Sequence, residues 1–219
     1  MAGKSEFVRV LLDRYGTTYA EEAGIRLADK PSPLYRLLVL ALLLSARIGP
    51  PIAVAAAKEL WTAGMRTPRA MAEASWQQRV DALGCGGYRR YDERTSTMLG
   101  ESAELLLEKY RSDLRKIRER AEGTSDLEVL LQELKGIGPL GAAIFCREVQ
   151  GLWTELAPYV DDRAAEGVAR LGLPRTPSRL AAYVDPSDLP RLLAACLRAG
   201  QDEKSAAEIR RATRADATA

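Results

Sequence analysis

The residues of this chain best placed to do chemistry lie between Asp126 and Asp162. Asp126-Leu-Glu-Val-Leu-Leu-Gln-Glu-Leu134 puts apolar side chains at 127, 130, 131 and 134, the spacing of one helical face. Lys135-Gly-Ile-Gly138 interrupts that period with two glycines two apart, and Pro139 is suited to the first position of a new helix. That helix runs through Leu140-Gly-Ala-Ala-Ile-Phe-Cys146 towards Gly151. Glycines free the backbone amides of a short loop, and a helix N-terminus directly behind them makes a ready site for a phosphate. About twenty residues further on, behind a short apolar run ending in Val160, stand the carboxylates Asp161 and Asp162. The same stretch fits an ordinary αα-hairpin whose glycines serve only a tight turn, and on this segment alone the two readings are level.

The elements that must hold these residues are all helical in pattern. Residues 5–15 form a helix with Phe7, Val10 and Leu11 on one side, and Gly16 can stop it. Pro31-Ser-Pro33 marks a boundary before Leu34–Ala46, which is apolar nearly all round and belongs in the centre of a bundle. Gly49-Pro-Pro51 ends it, and an Ala-rich helix covers 52–63. Thr67 is placed to cap a helix with Pro68 at its first position, and a short helix from Ser75 or Trp76 reaches Leu83. Gly84, Gly86 and Gly87 make a turn before a long helix ending near Tyr110. Residues 109–120 hold six basic side chains and read first as a solvated helical face, second as a DNA contact. Helices at 161–171, 177–184 and 186–199 follow, and the polar tail from Gly200 is expected to fray beyond Arg214. No repeat, strand-like run or low-complexity segment interrupts this all-α pattern.

Composition narrows the partners. With 47% hydrophobic residues the chain can build a core, and its 219 residues fit one large or two small domains. Lys+Arg of 32 against Asp+Glu of 30 leaves a net charge of only +2, so a nucleic-acid partner must be met by a local patch. Cys85, Cys146 and Cys196 are far apart and histidine is absent, so no zinc or other metal site is expected. No basic-then-apolar leader is present, and Leu37–Ala46 is too short to span a bilayer. The expectation is a cytoplasmic protein without membrane attachment, likewise without a cofactor.

Leu134-Lys-Gly-Ile-Gly-Pro-Leu-Gly-Ala-Ala143 resembles the hairpin motif of the helix-hairpin-helix DNA glycosylases, the endonuclease III superfamily. Three further stretches are similar to that family in the same order and near the same spacing. Leu37-Leu-Val-Leu-Ala-Leu-Leu-Leu-Ser-Ala46 matches its Leu-Leu-Ser-Ala-Gln helix, and Leu83-Gly-Cys-Gly-Gly-Tyr88 matches its Ile-Gly-Leu-Tyr loop. Val160-Asp161, with Arg170-Leu-Gly-Leu173 after it, matches its Val-Asp segment. The resemblance covers roughly residues 33–200 and implies a two-lobed, all-α fold with a cleft between the lobes. One lobe would be a six-helix bundle at 33–150, and the other would join 1–32 to 151–219.

The resemblance also implies a chemistry. Releasing a base from its sugar passes through an oxocarbenium-like transition state, which a fixed carboxylate in a dry site stabilises. Asp161 is the candidate, since its spacing to Arg170-Leu-Gly-Leu173 favours it over Asp162; a helix N-cap is its other use. The family's lyase members attack the sugar with a lysine amine two residues after the second hairpin glycine, where this chain has Leu140. The family's four-cysteine iron–sulfur loop is also missing, because Leu197 to Arg214 contains no cysteine. The implied protein is a monofunctional DNA N-glycosylase of base excision repair, a monomer acting on duplex DNA with a damaged or mismatched base. The rival is a DNA-binding protein of the same fold without catalysis. DNA contacts are expected from Gly136, Ile137, Gly138, Leu140 and Gly141 of the hairpin, from Arg47 and Tyr88 as wedge residues, and from Arg89 and Arg90.

Overall fold

The computed structural model describes residues 2–201 and 203–216, and the side chains of 6–201, 204–209 and 211. Every regular element among them is helical: α1 (Ala2–Tyr15), α2 (Tyr19–Glu22), α3 (Pro31–Ser45), α4 (Pro50–Thr62), α5 (Pro68–Glu73), α6 (Trp76–Cys85), α7 (Asp92–Tyr110), α8 (Arg115–Arg120), α9 (Thr124–Leu131), α10 (Pro139–Val149), α11 (Asp162–Arg170), α12 (Pro177–Ala181), α13 (Leu189–Ala199) and α14 (Glu203–Asp216). The protein is all-α. No helix among the described residues is long and apolar enough to cross a membrane. The chain divides into two compact units, Ala20–Cys146 and Met1–Tyr19 with Arg147–Ala219.

In the unit Ala20–Cys146, α3 is the apolar centre, buried from Leu34 to Leu44 apart from Arg36. Pro31 opens this helix instead of closing the segment before it, and Pro50 likewise opens α4. In both places a proline expected to mark an end sits where its fixed φ and missing N–H cost nothing. Thr67 accepts a hydrogen bond from the Ala70 amide with Pro68 at the first position of α5, as the sequence indicated. Ser75 and Gln78 form a full capping box at the start of α6. Buried Arg79 ties α5, α6 and α7 together. Its Nη1 donates to the Met71 and Ala74 carbonyls at 2.9 and 2.7 Å, and its Nε to the Ser96 carbonyl at 3.0 Å.

The basic stretch 109–120 is not one helical face. Arg111 and Ser112 adopt left-handed conformations, with φ of 52° and 63°, which end α7 and turn the chain before α8. Its cations are mostly paired within the unit. Lys109 bonds Glu133, Arg115 bonds Asp113, Lys116 bonds Glu119, Arg118 bonds Asp29, and Arg120 lies over the Tyr110 ring. Lys109 and the Tyr110 hydroxyl together hold the Glu133 carboxyl below its ordinary range. Most of this basic surface is thus neutralised by the unit's own acids, and it lies in two pieces.

The second unit packs α1, α11, α13 and α14 around Val8, Leu11, Val168, Leu192, Leu193 and Ile209. A Cβ at Gly167 would lie 2.3 Å from the Cys196 carbonyl oxygen, so α11 and α13 cross backbone against backbone. Cys146 and Cys196 are free and buried, and burial pushes each thiol up to about 12; Cys85 is exposed. The end of the expected frayed tail, 217–219, lies outside the described residues.

Candidate nucleic-acid interface and carboxylate site

The hairpin is α9, a turn at 132–138, and α10. Ile137 donates its amide to the Leu134 carbonyl at 3.0 Å, closing the turn. The first backbone bond of α10 runs from the Ala142 amide to the Gly138 carbonyl at 3.0 Å. The amides of Leu140 and Gly141 therefore belong to the opening turn, whose donors have no carbonyl one turn back to bind. With the macrodipole behind them they favour an anion.

The two hairpin glycines are there for different reasons. Gly136 has φ of +86°, and a Cβ there would stand 2.7 Å from Leu42 Cδ1 and 3.2 Å from Met98 Cβ. The turn thus lies directly on α3 and α7, and only glycine fits both the conformation and the space. Gly138 has no positive φ, and a Cβ added to it would meet nothing within 4 Å. Nothing in this unit requires glycine at 138; a ligand approaching the backbone would.

Around the turn lies an open cavity of about 420 Å³ lined by the end of α3, the start of α7 and the hairpin. Leu42, Met98 and buried Ile137 give it an apolar lining, while Arg47, Tyr91 and Arg94 supply its cations and a half-buried aromatic. Arg47 and Arg94 are exposed, and neither has an ion-pair or hydrogen-bond partner among the described residues. Arg89 and Arg90 are exposed nearby in sequence without lining this cavity, and Arg90 lies over the Tyr91 ring at 5.2 Å.

Tyr88 departs from the wedge role expected of it. It lines the cavity, but its side chain is 1% exposed and its hydroxyl accepts from Thr95 Oγ1 at 3.4 Å. Burial raises its pKa. Gly84, expected in the turn, still belongs to α6; the turn at Gly86 and Gly87 folds this ring inward, and the available aromatic at the cavity is Tyr91, three residues later.

Asp161 lies in the other unit, as the N-cap of α11. Its Oδ1 accepts from the Arg163 and Ala164 amides at 3.1 and 3.2 Å. The capping use is therefore real, but it does not account for the second oxygen. Oδ2 accepts from Arg147 Nη1 at 2.6 Å, in a pair whose side chains are 3% and 6% exposed. One turn further along, fully buried Gln150 clamps Tyr159: its Oε1 accepts the Tyr159 amide at 2.9 Å and its Nε2 donates to the Tyr159 carbonyl at 2.9 Å. Asp162 is exposed at the first position of α11, outside this arrangement.

Arg147 and Gln150 were not singled out from the sequence, though a signal existed. Leu140, Ile144 and Arg147 fall at i, i+4, i+7, so the arginine sits on the stripe the helix buries and requires a partner of opposite charge. Leu140 itself is half-buried and offers no amine. No group of three acidic, cysteine or histidine side chains among the described residues could hold a metal ion.

No protein-family model matches the chain, and no curated protein sequence does. Among solved structures it is similar to a trapped endonuclease III–DNA covalent intermediate in an estranged-adenine complex. The TM-score is 0.48 and the identity 17%, covering 88% of this chain and 84% of that one.

Proposed function

We propose that the protein binds duplex DNA through the hairpin turn and the arginines around its cavity, and that it is a monofunctional DNA N-glycosylase of base excision repair. The observation that carries the DNA reading is the grouping of Gly136, Gly138, Arg47 and Arg94 on one open cavity, with opening-turn amides beside them. Backbone amides and unpaired guanidinium groups suit phosphates, and they fix register without reading sequence. Tyr91 takes the stacking role first given to Tyr88.

For the chemistry, Asp161 supplies the fixed carboxylate. An ionised carboxylate has about four acceptor sites, and three are filled here by two amides and a guanidinium. The one remaining can orient a water or face the cation developing on the sugar. Leu140 supports hydrolysis without strand cleavage, since it cannot form a Schiff base. The protein acts in the cytoplasm as a monomer, on duplexes whose damaged or mismatched base leaves the stack.

One observation favours the rival reading, DNA binding without catalysis: the Asp161 charge already has a buried counter-charge in Arg147. The test is a panel of duplexes carrying uracil, a thymine or adenine mismatch, or an alkylated purine. The glycosylase reading expects an abasic site in an intact strand, cut only after alkali, with no complex trapped by borohydride. Tight binding without any base release would establish the rival, and a trapped complex would overturn monofunctionality.

A further inference from the structure

An N-cap needs one oxygen, and Asp161 already has Oδ1 on two amides. A guanidinium on Oδ2 adds nothing the cap requires. Stability does not explain it either, because burying an ion pair removes two charges from water and an apolar pair of similar volume is often as stable or more so. Specificity of position does explain it. Arg147 fixes the carboxylate, and Gln150, three residues later and just past the end of α10, fixes the main chain at Tyr159, two residues before Asp161. Gln150 Nε2 also donates to the Arg147 carbonyl at 3.0 Å, joining the two supports. Arg147 Nε is buried with no hydrogen-bond partner, so the side chain is not placed to satisfy its own donors. What the placement satisfies is Asp161.

We infer that Arg147 is the positioning residue of Asp161: it holds the carboxylate plane so that its one remaining acceptor site points in a single direction. This rests on the glycosylase reading above, because orientation matters only if the carboxylate meets a reacting group. The guanidinium touches no substrate, and its effect passes entirely through Oδ2.

The test uses the full-length protein and single-turnover base release from whichever duplex of the panel above the wild type cleaves, with DNA affinity and thermal unfolding measured in parallel. In Arg147→Gln the release rate should fall on the order of a hundredfold, the scale of a misplaced catalytic group, while the half-saturating DNA concentration stays put. Arg147→Lys should recover part of that rate, since an ammonium can reach Oδ2 but is a freely rotating point charge without the fixed N–H direction of the planar guanidinium, which meets Oδ2 through Nη1 alone. The melting temperature should fall on either reading, because the buried carboxylate loses its counter-charge; a purely structural role predicts unchanged release per folded molecule, and that result overturns the inference. So does a wild-type rate in either folded variant. If Arg147→Gln is unfolded at the assay temperature, the Arg147→Lys rate decides alone. A wild type that binds every duplex and releases no base ends the glycosylase reading and this role with it, an outcome distinct from active wild type and equally active variants.

Discussion

At the hairpin, the arginines beside the cavity have no protein partner among the described residues, and the glycine at 138 faces open space. Around Asp161 the arrangement is reversed: both carboxylate oxygens are bound, the pair is buried, and a glutamine locks the chain leading into it. The difference follows from what each region would meet. A polyanion is bound by donors left open, and leaving them open costs little where water reaches them. A carboxylate that must face one atom has to be held, and holding it in a buried place requires a counter-charge. Under the proposed function, openness marks the binding surface and closure marks the oriented group.

The contrast can be broken hardest at Arg147. Replacing it with methionine leaves the buried Asp161 carboxylate uncompensated and should cost about 3–5 kcal/mol in denaturant unfolding. Adding Asp161→Asn to that variant should restore much of the loss. Arg47→Met, on the open side, should stay within about 0.5 kcal/mol of wild type. Equal costs for the two arginines would show that the regions do not differ in this way.

Asp161→Asn comes next. Asparagine keeps an oxygen for the two amides and loses the charge, so base release should fall on the order of a hundredfold or more while DNA binding survives. Asp162→Asn, on an exposed carboxylate outside the network, should leave release near wild type and so tests the register directly. Full activity in Asp161→Asn would remove it from the mechanism.

The hairpin glycines give a smaller effect that separates fold from ligand. Gly136→Val forces a branched side chain to a φ of +86° against Leu42, and should cost roughly 1–3 kcal/mol of stability from backbone strain alone. Gly138→Val has room for its side chain and should melt like wild type, yet weaken binding to damaged and undamaged duplex alike, because phosphate contacts carry no sequence information. Unchanged binding in Gly138→Val would take the turn out of the interface.

Much of this was legible from the sequence because it is local. The helix period, the Thr67 and Ser75 caps and the hairpin each depend on neighbours within a turn or two, and each stands close to where its pattern lies. What was not legible depends on which way a side chain turns or on what it meets far along the chain. Tyr88 reads as a loop aromatic and is folded inward; Tyr91 does not stand out and lines the cavity. Arg79 does not stand out in the sequence and donates to three carbonyls, the furthest 17 residues away. Arg147 finds Asp161 across 14 residues, a pairing the helical period demanded without naming its partner.

The smallest expected effect is also the most diagnostic of the open region. Arg47 and Arg94 line one cavity, are exposed, and carry no internal ion pair among the described residues, so each can be removed without stranding another charge. Arg47→Ala and Arg94→Ala should therefore leave the unfolding midpoint where it is. If each guanidinium neutralises one phosphate, its loss removes one set of released counterions, and the slope of log Kobs against log salt should flatten by about 0.9 per arginine. The two changes should add, because each arginine would meet its own phosphate. The affinity loss should be the same on undamaged and lesion-bearing duplexes. A loss confined to the lesion duplex would mean that these arginines read the gap left by the extruded base, and the open region would then be doing more than binding a backbone. A slope that does not move in either variant would leave the hairpin amides as the whole interface on this unit.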